Sequence, residues 1–134
     1  MDDRVINILL VEDDEVDVMT VKRAFTRANI TNPLLVAANG IEALEILRKE
    51  ELPPTRRLIL LDVNMPKMSG WETLRVLKAE PSLAPVPVVM FTIKSEVRDK
   101  VHGLQDGAHD YITKPFQVDE MAARVRRIFQ GVGA

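Results

Sequence analysis

The sequence predicts an α/β fold, a doubly wound five-stranded parallel sheet covered by five helices. Two observations predict it. Several short runs are apolar throughout and too short to be helices, which implies strands buried on both faces. Each run is followed by a stretch whose apolar residues recur at helical spacing, so strand and helix alternate along the chain.

Strand one spans Val5 to Val11 and stops at the acidic Glu12-Asp13-Asp14. Apolar residues at Val16, Met19, Val21 and Phe25 then recur at helical spacing and mark helix one. Leu34 to Ala38 forms strand two and leads into a helix from Ile41 to Lys49. Leu58 to Leu61 is strand three, followed by a helix from Trp71 to Ala79. Val86 to Phe91 and Tyr111-Ile112 supply strands four and five, with helices from Ser95 to Gln105 and from Val118 to Phe129. The proline-bearing stretches Glu50 to Arg57 and Pro81 to Pro87 read as loops, because proline cannot continue a helix.

Composition narrows the function classes. A length of 134 residues suits one domain, and the balance of 46% hydrophobic to 28% charged residues suits a globular chain. A net charge of -2 gives no bulk attraction to nucleic acid. Cysteine is absent, so metal chemistry must use oxygen ligands or the two histidines, His102 and His109, which read as surface residues. The apolar runs are far too short to span a membrane, and no basic-then-apolar leader opens the sequence; the expected address is the cytoplasm. A single domain is expected over residues 1–134, with no output domain after helix five.

In open parallel sheets ligands bind beyond the carboxyl ends of the strands. The residues there are Glu12-Asp13, Asn39-Gly40, Asp62, Thr92 and Lys114. In the flavodoxin-like strand order 2-1-3-4-5, strands one and three are neighbours, which would bring Glu12, Asp13 and Asp62 together. Carboxylates so close repel unless a cation neutralises them, and Mg2+, hard and oxygen-seeking, is the natural choice. Taken alone, the acidic run reads better as a solvated loop with an acidic helix start, favoured by the helix dipole.

The whole set resembles the receiver domain of two-component response regulators over essentially the entire chain. The resemblance is carried by Ile8-Leu9-Leu10-Val11-Glu12-Asp13-Asp14, Asn39-Gly40-Ile41-Glu42-Ala43-Leu44, Leu60-Leu61-Asp62-Val63-Asn64-Met65-Pro66 with Ser69-Gly70, and Tyr111-Ile112-Thr113-Lys114-Pro115-Phe116. Within the family it looks most like the single-domain regulators of bacterial phytochrome histidine kinases, through the loop Glu50 to Arg57 and Asn64-Met65-Pro66. The resemblance implies a phosphoacceptor that assists its own phosphotransfer and autodephosphorylation without being an enzyme. Asp62 would take the phosphoryl group, Lys114 and Thr92 would contact it, and Thr92 and Tyr111 would form the switch. The metal ligands would be Asp13, Asp62, Glu12 through water and the backbone carbonyl of Asn64. Asn64, Ile93 and Lys94 would govern access and phosphoryl lifetime, a long one being expected because Lys94 cannot orient a water by accepting from it.

The implied partners are a sensor histidine kinase of the bacteriophytochrome type or a phosphotransfer protein, with no nucleic acid and no membrane. A homodimer through the face of the fourth helix, fifth strand and fifth helix is also implied. Val97, Leu104 and Ala122 would form its apolar patch, Lys100 would pair with Glu120, and Asp106 and Asp110 with Arg124. Three rivals fit less well. A haloacid dehalogenase-type hydrolase wants an acid where Asn64 stands, and a flavin-binding module would not place three acids after strand one. A degenerate receiver would lack some of the five site residues, and all are present.

Overall fold

The computed structural model describes residues 5–49, 56–63, 65, 68–93, 107–114 and 117–132. They form strands β1 (Asn7–Val11), β2 (Leu34–Ala37), β3 (Arg57–Asp62), β4 (Val88–Ile93) and β5 (Asp110–Lys114). The described helices are α1 (Glu15–Arg27), α2 (Gly40–Lys49), α3 (Gly70–Ala79) and α4 (Val118–Val132). The strands pair in parallel in the order β2-β1-β3-β4-β5, as expected, with β1 between β2 and β3. The expected helix from Ser95 to Gln105 lies outside the described residues.

Side chains alternate across a strand, and in the inner strands both sets are apolar. Ile8, Leu10, Leu58, Leu60, Val89 and Phe91 point to one side and pack with Val21, Ala24 and Phe25 of α1 and Met121, Val125 and Ile128 of α4. Leu9, Val11, Ile59, Leu61, Val88 and Met90 point to the other and pack with Ala43, Leu44 and Leu47 of α2 and Leu74 and Leu77 of α3. The result is a sheet sandwiched between two helical layers, each with its own core.

Local chemistry sets the helix ends. Asp14 caps α1, its Oδ1 accepting from the N–H of Val16 at 2.8 Å and of Asp17 at 3.4 Å. Asn29, in the left-handed region at φ 58°, stops the same helix, and Ile30 N–H turns back to the Phe25 carbonyl. Asn39 Oδ1 accepts from Glu42 N–H at the start of α2. Ser69 and Glu72 form a reciprocal capping box on α3.

Several boundaries differ from the sequence reading. Strand four begins at Val88, not Val86, because Val86 N–H closes a turn onto the Leu83 carbonyl and Pro87 has no N–H to donate. Strand three extends to Asp62, making it the last strand residue. Arg57, expected in the loop, is a buried strand residue in register with Asn7.

Gly70 opens α3 directly behind the end of β3, its N–H bonded to the Val63 carbonyl. A Cβ there would lie 2.2 Å from the Asp62 carbonyl oxygen and 2.8 Å from Val63 Cα, backbone atoms that cannot swing aside. Gly70→Ala is therefore expected to destabilise the fold by about 1–3 kcal/mol through overpacking. Urea denaturation of the two proteins at equal concentration measures it, and an unchanged midpoint would show that the β3–α3 junction yields freely.

Candidate functional site

Strand alternation explains why the polar strand ends converge. Glu12 continues the face of Ile8 and Leu10, Asp62 that of Leu58 and Leu60, and Lys114 that of Ile112. All three fall on the side of the sheet covered by α1. Glu12 is held there by its N–H, which bonds to the Ala37 carbonyl as β1 ends. Val63 N–H bonds to the Phe91 carbonyl in the same way as β3 ends.

Glu12 and Asp62 are 3% and 5% exposed, while Asp13 is open to solvent. Each of the three offers a carboxylate oxygen, and these oxygens lie within 4.8 Å of one another. Lys114 supplies a positive charge to the cluster. Its Nζ donates to Glu12 Oε1 at 2.5 Å and to Asp17 Oδ2 at 2.8 Å, and lies 3.2 Å from Asp62 Oδ1. Three carboxylates, those of Glu12, Asp17 and Asp62, thus share one ammonium, and a fourth, that of Asp13, adjoins Glu12 and Asp62.

The electrostatics follow from that count. Burial pushes the Glu12 carboxyl up to about 7, and the neighbouring Asp62 charge adds to the rise, although the Lys114 hydrogen bond opposes it. Burial alone would lower Lys114, but its bonds to Asp17 and Glu12 and the charge of Asp62 hold it above the usual lysine range. Lys114 therefore stays charged. The set is all oxygen, partly buried, short of positive charge and open at Asp13, which is what a hard divalent cation such as Mg2+ requires.

Thr92 and Tyr111 occupy the opposite face. Thr92 is buried and follows the alternation of Val88 and Met90, while Tyr111 is half-buried against the same α2–α3 core. Met90 is the register partner of Tyr111, so the threonine and the tyrosine sit on adjacent strands on one side of the sheet.

Other expected residues are placed differently. Ala122, expected on an exposed apolar patch, is 4% exposed and belongs to the α1–α4 core, because Met121, Ala122, Val125 and Ile128 form the stripe that faces the sheet. Arg124 makes its contacts within one chain: Nη1 donates to the Tyr111 carbonyl at 2.6 Å and lies 3.6 Å from Asp110 Oδ1, and Nη2 lies 3.4 Å from Glu120 Oε1. Asn64, Lys94, Val97, Lys100, Leu104 and Asp106 lie outside the described residues, as does the Ile93 side chain. Asp17 was missed by the sequence reading. An acid in the first turn of a helix is already explained by the dipole, and nothing in the spacing shows that it reaches β5.

The model of the response regulator receiver domain matches residues 8–126. The chain belongs to the response regulator receiver domain family. Its place is thus in two-component signal transduction. Among solved structures it is similar to the receiver domain of a signal transduction histidine kinase from Syntrophus aciditrophicus, at 36% identity and a TM-score of 0.80 over 94% of this chain and 91% of that one. It is also similar to the bacteriophytochrome response regulator RtBRR, at 32% identity and a TM-score of 0.80 over 91% of this chain and 76% of that one. The DNA-binding response regulator MtrA of Mycolicibacterium paratuberculosis is 46% identical over 91 residues, 68% of this chain and 37% of that protein. The chain spans about half the length of the curated relatives it matches over most of its residues. Among the described residues no helix is long and apolar enough to cross a membrane.

The raised Glu12 carboxyl has a consequence for the metal-free receiver. The folded state binds this proton more tightly than the unfolded chain, so the stability it contributes is full below about 4.5 and is lost as pH rises through about 7. In the presence of a chelator, wild type should lose thermal stability between pH 5 and pH 8 relative to Glu12→Gln, which lacks the titrating group. Parallel melting curves across that interval would contradict the placement of Glu12.

Proposed function

We propose that the chain accepts a phosphoryl group on Asp62, in a pocket that Glu12, Asp13 and Asp62 make for Mg2+. The observation that supports this most is the convergence of three carboxylates and one lysine at the ends of β1, β3 and β5. Asp62 is the candidate nucleophile because it ends the central strand and sits beside both the acid pair and the ammonium. In the transfer, an Asp62 carboxylate oxygen attacks phosphorus as the bond from phosphorus to the donor's histidine nitrogen breaks. The electron pair stays with the departing imidazole, and an aspartyl phosphate remains. The transferred group carries negative charge on its outer oxygens, so a donor of positive charge must stand close by. Lys114, already 3.2 Å from Asp62, can turn its ammonium from the carboxylate to a phosphoryl oxygen.

Asp13 and Asp62, with Glu12 through water and the Asn64 carbonyl, would hold the ion; when bound, it would neutralise phosphoryl charge and orient the group for in-line transfer. Thr92 can donate its hydroxyl to the phosphoryl group. Its withdrawal toward the site would leave room for the Tyr111 ring on the same face, altering the surface of β5 and α4. By the resemblance, Asn64, Ile93 and Lys94 would govern the access of water and so the lifetime. The phosphodonor would be a sensor histidine kinase or phosphotransfer protein, and similarity to a bacteriophytochrome response regulator favours a kinase of that kind.

The altered surface also offers a route to self-association. Glu120, Asp110 and Arg124 would then exchange their partners within the chain for partners across a two-fold axis, with Lys100 and Asp106 supplying opposite charges and Val97 and Leu104 the apolar contact. Exposed pairs contribute only about 0–1 kcal/mol each, so they would set register more than affinity.

Incubation with a radiolabelled small phosphodonor is the test. Wild type with Mg2+ should take up label, whereas Asp62→Asn, and wild type with chelator, should fall to background. Equal labelling of wild type and Asp62→Asn would place the phosphoacceptor elsewhere.

A further inference from the structure

Lys114 reaches the acidic pocket from β5, and one of its two hydrogen bonds there goes to α1. An ammonium has three N–H donors, and two are taken by Glu12 at 2.5 Å and Asp17 at 2.8 Å. Asp62 Oδ1, at 3.2 Å, is an ion-pair neighbour of the same nitrogen. The ammonium is thus shared between a carboxylate on the helix and carboxylates on the strand ends.

Asp17 is firmly placed to do this. It lies in the first turn of α1, where the Asp14 cap fixes the chain and accepts from the Asp17 N–H itself. Counting side-chain atoms alone, Asp17 is 33% exposed, against 1% for Glu12 and 7% for Asp62. It therefore meets the ammonium from α1, on the more exposed side of the pocket.

We propose that Asp17 is a positioning residue, holding the Lys114 ammonium on the α1 flank and so leaving the space beside Asp62 and Asp13 for the divalent cation. This rests on the reading of the acidic cluster as the Mg2+ pocket. Without Asp17 the freed N–H has Asp62, 3.2 Å from the nitrogen, as the remaining ion-pair carboxylate besides the already bonded Glu12. The ammonium then moves inward, its charge competes directly with the ion for the same carboxylates, and Mg2+ binding weakens. Loss of Lys114 has the opposite effect, since the competing charge is gone.

The test is a double-mutant cycle on Mg2+ affinity, measured by isothermal titration calorimetry on the unphosphorylated chain. Asp17→Asn should weaken Mg2+ binding by roughly three- to tenfold, as expected for coupled neighbours. Lys114→Gln should tighten it. In the Lys114→Gln background, Asp17→Asn should change affinity by less than about twofold, because the group it positions is absent. An unchanged affinity for Asp17→Asn with Lys114 in place overturns the proposal. So does an equal loss in both backgrounds, which would mean that the Asp17 charge attracts the ion directly through space. Asp13→Asn separates this from the underlying reading: strong loss there with a flat Asp17 response removes only the positioning role, whereas full affinity in Asp13→Asn removes the metal pocket and the proposal with it.

Discussion

The salt bridge of Lys114 to the carboxylates at the ends of β1 and β3 is the interaction on which the rest of the site depends. Two of those carboxylates, Glu12 and Asp62, are almost completely buried and face each other. Buried like charges are costly, and removing the ammonium beside them would leave an uncompensated charge worth several kcal/mol of destabilisation. The chain meets this demand with one strand-end lysine and a raised Glu12 carboxyl. The remaining shortage of positive charge is the property that makes the pocket receptive to a cation and to the anionic group that a cation can accompany.

That pocket is a product of sheet order. Because β3 pairs directly with β1, Asp62 and Glu12 end neighbouring strands; because β5 pairs with β4 at the edge, Lys114 must reach across with a long side chain. Alternation then sorts function by face. The charged residues lie under α1, and the residues proposed to carry the switch, Thr92 and Tyr111, lie on the α2–α3 side. Gly70, tight against the Asp62 backbone, and the Gly70–Val63 hydrogen bond stiffen the strand end that carries the proposed phosphoacceptor.

Much of this was legible in the sequence, for identifiable reasons. Strands buried on both faces leave unbroken apolar runs, and charged residues that interrupt such runs mark their ends, which is how Glu12, Asp13, Asp62 and Lys114 stood out. The runs do not reveal hydrogen bonds, however. Val86 extends the apolar run of strand four, yet its N–H closes a turn, so the strand begins two residues later. Ala122 shows a second limit: with Met121 beside it, only the packed helix reveals that both face the core. Asp17 shows a third, because a contact between α1 and β5 spans most of the chain and leaves no local pattern.

Chemical mapping of the phosphorylated residue tests the account most directly. An aspartyl phosphate is reduced by borohydride to homoserine, which marks the acceptor permanently. After exposure to a phosphodonor with Mg2+ and then borohydride, peptide mass spectrometry should find homoserine at position 62 and intact aspartate at positions 13, 14 and 17. Homoserine at any of those other positions, with Asp62 unmodified, would contradict it.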